Sequence, residues 1–444
     1  MLTQAQNDRL SRVGPGSPCG ELMRRYWHPV AAAAQMKDKF TMQVRILGED
    51  LILYKDRGGV YGLIDPYCPH RRMNMIYGIP EERGLRCSYH GWCFDETGQC
   101  IEQPYEEAEG DSRFKDKIQT RAYPVREQAG LLMAYLGPEP APLLPAWDVY
   151  AMPNQLRDIG YAMLPCNWLQ CQENSLDPVH LEWLHSAFTN YVLERLERPE
   201  RVNQKKHAKI GFDVFEYGIV KRRVVEGGTE ADTAWADGHP IVFPNMLRQG
   251  GSGDGTPGIG GMLGPAFQIR TPIDDHNTAH WWVACYPRLE GEAGQEPEDI
   301  PMYYPIVPEL TSEGQPKWDI LDSNSAQDPA AWITQGQIAD RTQEHLGRSD
   351  KGIILYRQML EDNIKKVEQG EDPMNTFRDA EENTYLSMRT ERPVGPRYAG
   401  VLTRQGAATK YSPILNRRGY ASPLEGGPAP ENRGDLIPAA PGAR

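Results

Sequence analysis

Two short strings concentrate the residues that can do redox or metal chemistry. The first is Cys68-Pro69-His70, followed after sixteen intervening residues by Cys87-Ser88-Tyr89-His90. Each offers one thiolate and one imidazole. A [2Fe-2S] cluster with two sulfur and two nitrogen ligands needs two such loops facing one another, each giving its Cys to one iron and its His to the other. Exchanging two thiolates for neutral imidazoles removes negative charge and raises the reduction potential, so such a centre accepts electrons from a flavin or ferredoxin donor. A set of two cysteines and two histidines also suits structural zinc, and spacing alone does not separate the two. Zinc-finger helices place both histidines together, whereas Cys and His alternate here.

The second string, Gln172-Glu173-Asn174-Ser175-Leu176-Asp177-Pro178-Val179-His180-Leu181-Glu182-Trp183-Leu184-His185, holds two histidines and three acids in 14 residues. Two histidines and one carboxylate that leave one face of the metal open are what an oxygen-activating non-haem Fe(II) site needs. His180 and His185 diverge by roughly 140° on a regular helix, so a bulge or break must bring them together. Pro178 already perturbs this stretch. Asp177, one helical turn before His180, can accept that ligand's ring N–H and position it. A histidine pair at this spacing is weak evidence by itself.

These strings sit in two kinds of surroundings. From Lys39 to about Pro140 the sequence reads as short strands at Met42 to Leu47, Leu51 to Tyr54, Val60 to Ile64 and Leu131 to Leu136, with turns at Gly48-Glu49-Asp50 and Asp56-Arg57-Gly58-Gly59. Gly137-Pro138-Glu139-Pro140-Ala141-Pro142 is a proline-rich boundary. Beyond it the text is mixed: a helical stretch around Leu169 to Phe188, a strand at Ala279 to Tyr286, and a helix from about Asp350 to Gln369. In that last helix Ile353, Tyr356, Leu360, Ile364 and Val367 recur at helical spacing, Ser349 is the expected cap and Gly370 the stop. The expected fold is α+β: a small all-β domain over 39–140, inserted near the N-terminus of a larger antiparallel-sheet-plus-helices catalytic domain over 141–411. Residues 1–38 are expected to be a helical segment packing with the larger domain, and 412–444, rich in Pro, Gly and Arg, an extended or disordered arm. No internal repeat is present.

The two strings occur in the order, and with the flanking residues, of the Rieske non-haem iron ring-hydroxylating oxygenases. Cys68-Pro69-His70-Arg71 with Cys87-Ser88-Tyr89-His90-Gly91-Trp92 is very similar to the Rieske motif, and the second string resembles the N-x2-D-x2-H-x4-H motif of the oxygenase α subunits. Gly14-Pro15-Gly16-Ser17-Pro18, Arg24-Arg25-Tyr26-Trp27-His28-Pro29 and Asp340-Arg341 through Glu344-His345-Leu346-Gly347 resemble the phthalate dioxygenase and phenoxybenzoate dioxygenase branch. The resemblance implies a Rieske cluster on Cys68, His70, Cys87 and His90, and a mononuclear Fe(II) on His180, His185 and an acid, with Asp177 relaying between them. It points to Asp328, in Ala326-Gln327-Asp328-Pro329, as that acid, with Asp322 and Asp340 as fallbacks; Ile333 departs from the glutamate common in relatives. It implies a terminal oxygenase that takes electrons from NAD(P)H through a separate flavin/iron-sulfur reductase or ferredoxin. The substrate class is an aromatic carboxylate undergoing cis-dihydroxylation, or an aryl ether or amine undergoing O- or N-dealkylation. A homotrimer or stacked hexamer, in which one subunit's cluster feeds its neighbour's iron, belongs to the same implication. Two other readings stand beside it: a Rieske electron carrier, and a zinc hydrolase on the histidine pair.

Composition narrows the partners. A formal charge of −13 argues against nucleic acid or an anionic membrane surface, because the long-range field repels both. The N-terminus has no signal pattern and no run approaches a membrane span, so the cytoplasm is the expected compartment. The other six cysteines, Cys19, Cys93, Cys100, Cys166, Cys171 and Cys285, read as small interior residues.

Overall fold

The computed structural model describes residues 1–108, 110, 113–199, 204–250, 265–391 and 411–418. The chain divides into two compact units. Among the described residues no helix is long and apolar enough to cross a membrane.

The smaller unit spans Arg24–Pro142 together with Glu296–Ile300. Its strands are β1 (Trp27–Ala32), β2 (Thr41–Ile46), β3 (Glu49–Lys55), β4 (Tyr61–Ile64), β5 (Ile79–Pro80), β6 (Leu85–Arg86), β7 (Cys93–Phe94), β8 (Cys100–Glu102), β9 (Ala122–Tyr123), β10 (Val125–Gln128) and β11 (Leu131–Tyr135). They form three small sheets, ordered β1-β11-β10, β2-β3-β4-β9 and β5-β6-β7-β8. The all-β expectation is met, with two adjustments. The turn expected at Gly48-Glu49-Asp50 is the two-residue Leu47-Gly48, both left-handed, and Glu49 and Asp50 already lie in β3. The expected domain start at Lys39 moves back to Arg24, because Trp27–Ala32 is a strand paired with β11 rather than part of a helical segment. Only Met1–Met23, with helices Gln4–Ser11 and Pro18–Met23, belongs to the larger unit.

The larger unit is built on one eight-stranded sheet. Its strands are β12 (Gln155–Leu164), β13 (His207–Phe215), β14 (Gly218–Val225), β15 (His239–Val242), β16 (Met246–Gln249), β17 (Ala266–Pro272), β18 (Thr278–Pro287) and β19 (Met302–Tyr303). Their order is β13-β14-β15-β16-β17-β18-β12-β19. All neighbours are antiparallel except β12 and β19. Nine of the ten residues of β18 are buried, so both faces of this strand are covered.

Helices position the second string against this sheet. Trp168–Asn174 begins with the Asn167 side chain accepting from Leu169 N, and its last turn carries the buried Glu173. Glu173 accepts from Arg341 at 2.7 Å and from Arg357 at 2.6 Å. Arg357 belongs to helix Lys351–Glu368, whose Tyr356, Leu360, Ile364 and Val367 are buried as their spacing predicts. Asp350, not Ser349, occupies the cap position of that helix, and makes no side-chain capping bond there. Breaking a buried ion pair of this kind by removing one partner costs about 3–5 kcal/mol, so Glu173 fixes the approach to the histidine string.

Of the arm expected over 412–444, Ser412–Arg418 is neither extended nor disordered. It is a docked helical turn, Pro413–Arg417, with Ile414 and Leu415 packed on Leu156, Ala284 and Tyr286. Residues 419–444 lie outside the described residues. Asp158 on β12 is fully buried and accepts from Tyr286 Oη at 3.1 Å and from Ser412 Oγ. Burial pushes its carboxyl up to about 7 even so. The folded protein therefore holds this proton over a pH range, from about 4 upward, where the unfolded chain has lost it. Stability from this group is present at low pH and falls as pH rises to about 7, by on the order of 4 kcal/mol. Asp158→Asn is expected to flatten that slope in thermal unfolding followed from pH 5 to pH 8; parallel curves for the two proteins would contradict it.

Candidate metal centres and cavity

In the smaller unit, the two cluster-type loops have the same backbone form. Cys68 N donates to Met73 O and Arg72 N to Cys68 O; Cys87 N donates to Trp92 O and Gly91 N to Cys87 O. In both, the residue four places after the cysteine is left-handed, Arg72 at φ 60° and Gly91 at φ 78°. Two equivalent loops thus present Cys68 with His70 and Cys87 with His90. Both thiols are buried, while the His70 and His90 rings sit 4.5 Å apart nearer the surface. Burial pushes the Cys68 thiol up to about 12, and the adjacent Cys87 adds to the shift. Thiol lies by thiol and imidazole by imidazole, which is the division required by a cluster with one iron on two cysteines and the other on two histidines. Trp92 stacks on His70 at 4.4 Å, and the Arg71 guanidinium lies 5.4 Å from the Tyr89 ring centre. The other six cysteines are buried and in no disulfide. Cys166 and Cys171 form a thiol pair at 3.7 Å that their sequence positions gave no reason to expect.

In the larger unit, His180 opens a short helical turn, His180–Glu182, that widens into a π-helix over Trp183–Phe188. The π-helix bonds residue i to i+5, so residues five apart share a face. The two imidazole rings accordingly meet at 5.0 Å. Asp328, on helix Asn324–Ile333, completes the group. One ligand atom from each of His180, His185 and Asp328 falls within 4.8 Å of the others. Asp322 instead bonds Arg198, and Asp340 is exposed and bonds Thr342.

Hydrogen bonding fixes how His185 faces this group. Gln327 Nε2 donates to Leu321 O and Thr189 Oγ1, which leaves its Oε1 to accept from His185 Nδ1 at 2.8 Å. The Nε2 lone pair of His185 then faces Asp328 Oδ1 at 3.1 Å. Two acceptors at that distance repel unless a cation or a proton lies between them. His180 Nε2 lies 3.8 Å from the same oxygen. This is the two-histidine, one-carboxylate set suited to non-haem Fe(II), and its geometry fits the ion. Burial pushes His180 down, whereas for His185 the effect of burial is outweighed by Asp328. Asp328 is itself raised by burial, but His185, His180 and Arg270 outweigh this and hold it below the usual carboxylate range. Asp177 Oδ1 accepts from Val179 N at 2.7 Å, and its Oδ2 lies 3.6 Å from His180 Nδ1, just beyond a hydrogen bond. Gln327 was not singled out from sequence, because a neutral amide beside a candidate acid carries no signal of its own.

The three groups open onto a cavity of about 230 Å³ floored by the eight-stranded sheet. Trp282 and Trp332 give it apolar walls, and Lys221, Arg223, Arg270 and Glu391 charged ones.

Residues 26–124 match the Rieske [2Fe-2S] domain, and residues 318–389 the LigXa C-terminal domain-like family. The chain is 43% identical to the 5,5'-dehydrodivanillate O-demethylase oxygenase subunit of Sphingobium sp., over 88% of this chain and 87% of that one. It is 33% identical to the phenoxybenzoate dioxygenase subunit alpha of Ectopseudomonas oleovorans, over 82% and 86%. It is 30% identical to the phthalate 4,5-dioxygenase oxygenase subunit of Pseudomonas putida, over 85% and 89%. Among solved structures the fold is similar to NdmA of Pseudomonas putida CBB5, with TM-score 0.58, 19% identity and coverage of 81% and 96%. It is also similar to dicamba monooxygenase bound to dicamba, with TM-score 0.53, 18% identity and coverage of 79% and 99%.

The Gln327 bond yields a direct expectation. Gln327→Met removes the acceptor that sets the His185 tautomer and is expected to weaken iron retention about 10–100-fold, measured as bound iron against a competing chelator. Gln327→Glu keeps an acceptor for His185 but loses the two donors to Leu321 O and Thr189 Oγ1, so its iron affinity should fall between that of the native protein and the Met variant. Equal iron affinity in the Met variant and the native protein would contradict this role.

Proposed function

The chain belongs to the Rieske non-haem iron ring-hydroxylating oxygenases, as a terminal oxygenase component, and on that premise we propose that it removes the alkyl group of an aromatic carboxylate bearing an O-alkyl ether. The observation that carries this reading is the 43% identity, over most of both chains, to an O-demethylase oxygenase subunit. The relatives named for phthalate and phenoxybenzoate, at 30% and 33%, favour cis-dihydroxylation of an aromatic carboxylate as the second reading. All three names specify aromatic acids.

In this proposal Cys68, His70, Cys87 and His90 hold the cluster, and His180, His185 and Asp328 hold the iron. When bound, the cluster supplies single electrons and the iron activates dioxygen. Gln327 keeps the His185 lone pair turned to the metal. Asp177 stands beside His180 Nδ1, where it can take and return a proton. Trp282 and Trp332 exclude water from the reacting group. For a methyl ether the sum is ether, dioxygen, two electrons and two protons giving phenol, formaldehyde and water. The electrons come from NAD(P)H through a separate reductase or ferredoxin. We further propose that the protein is cytoplasmic and works as a trimer or stacked hexamer, with Asp177 carrying the link from a neighbour's cluster; family membership supports the ring.

Labelled dioxygen separates the two chemistries. Turnover of a methoxybenzoate with a reductase should release formaldehyde and leave the phenol oxygen unlabelled, whereas a diol carrying two labelled oxygens would support the second reading and overturn the first. His180→Ala should keep the reducible cluster spectrum and lose at least about a hundredfold in turnover; retained turnover would contradict the assignment of His180.

A further inference from the structure

Among the described residues that line the cavity, Lys221 is the only lysine. It lies on β14 and is 4% exposed, and its side chain makes no hydrogen bond or ion pair among the described residues. A buried lysine is ordinarily paired, and here each candidate partner is engaged elsewhere. Glu391 is held by Arg223 at 2.5 Å. Asp328 faces His185, and Asp177 faces His180. His207 bonds Glu182 at 2.7 Å, and His239, opposite Lys221 on β15, is neutral because burial holds it down to about 3. The amine is left turned to the cavity.

These surroundings make the amine a base that is free part of the time. Burial and the charge of Arg223 push Lys221 down to about 8, against the pull of Glu391, Asp177 and Asp328. A metal cation held between His180, His185 and Asp328 adds to the lowering. At neutral pH about a tenth of such an amine is uncharged, against fewer than about one in a thousand for an ordinary lysine. A desolvated amine beside another cationic group is the setting in which lysine attacks a carbonyl carbon. The dealkylation proposed above releases a carbonyl compound into this same cavity, formaldehyde in the case of a methyl ether.

Resting on that dealkylation reading, we propose that Lys221 is a carbonyl-capture site, which forms a reversible imine with the small aldehyde released in the cavity. The ammonium first gives a proton to solvent. The Nζ lone pair then forms the N–C bond while the carbonyl π pair moves to oxygen, which takes a proton as nitrogen loses one. Loss of that oxygen as water gives the imine, and the balance closes without oxidant or reductant. Water reverses each step, so the site holds aldehyde in proportion to its concentration.

The test is reductive trapping in the full-length holoenzyme, read by peptide mass and not by turnover. A short pulse of formaldehyde with cyanoborohydride reduces any imine to a methylamine. At neutral pH Lys221 is expected to be methylated about tenfold faster or more than the exposed Lys209 and Lys365. Its rate should rise with pH and reach half its plateau near pH 8. Methoxybenzoate added beforehand should protect Lys221 and leave the exposed lysines reacting. Exposed lysines methylated while Lys221 stays unreacted, or Lys221 reacting no faster than they do, overturns the proposal. Turnover of a methoxybenzoate with a labelled methyl group, with cyanoborohydride present, separates the capture site from the reading it rests on. Label on Lys221 supports both. Labelled formaldehyde in solution with Lys221 unmodified overturns the capture site and leaves the dealkylation standing. Trapping of added formaldehyde at Lys221, with none released from any aryl ether, supports the site and counts against the dealkylation.

Discussion

Two histidines five residues apart can serve one metal only if the helix carrying them widens, and the larger unit is arranged around that widening. A π-turn over Trp183–Phe188 costs regular helical hydrogen bonding, so neighbours must hold it. Serine and threonine hydroxyls do part of this: Ser186 Oγ donates to Leu181 O and Thr189 Oγ1 to Leu184 O, each across five residues. Thr189 Oγ1 also receives Gln327 Nε2, which ties the turn to the helix bearing Asp328. Upstream, Glu173 is clamped by Arg341 and Arg357, so the chain enters the turn from a fixed point.

The same economy governs the charges. Buried charges on the outer side of the site are matched: Glu173 by two guanidiniums, Asp148 by Arg248 at 3.0 Å, and Glu391 by Arg223. Matching stops at the cavity, where Lys221 and Arg270 face open space with no carboxylate paired to them among the described residues.

Local features of this arrangement were readable from sequence, and features set by distant pairing were not. His180, His185 and Asp328 are residue types whose chemistry is scarce, and the mismatch between five residues and a helical turn demanded an irregular helix there. The four Cys and His positions carried their own spacing. Gln327 gave no sign, since its meaning comes from Leu321 and Thr189 holding its amide in one orientation. Lys221 and Arg270 were indistinguishable from other cations until the strand order placed both under one cavity. The boundary at Lys39 failed because Trp27–Ala32 becomes a strand only through Leu131–Tyr135, far along the chain. The tail failed at Ser412–Arg418 because its composition masked two apolar residues, Ile414 and Leu415, and a serine that Asp158 requires.

The central claim is that one chain carries two distinct iron sites, a cluster that receives electrons and a separate ion that uses them. Metal and sulfide analysis of the protein purified without added metal tests it most directly. The account predicts about three iron atoms and two acid-labile sulfides per chain, and zinc in place of iron, or two irons with the mononuclear site unable to take a third, would contradict it.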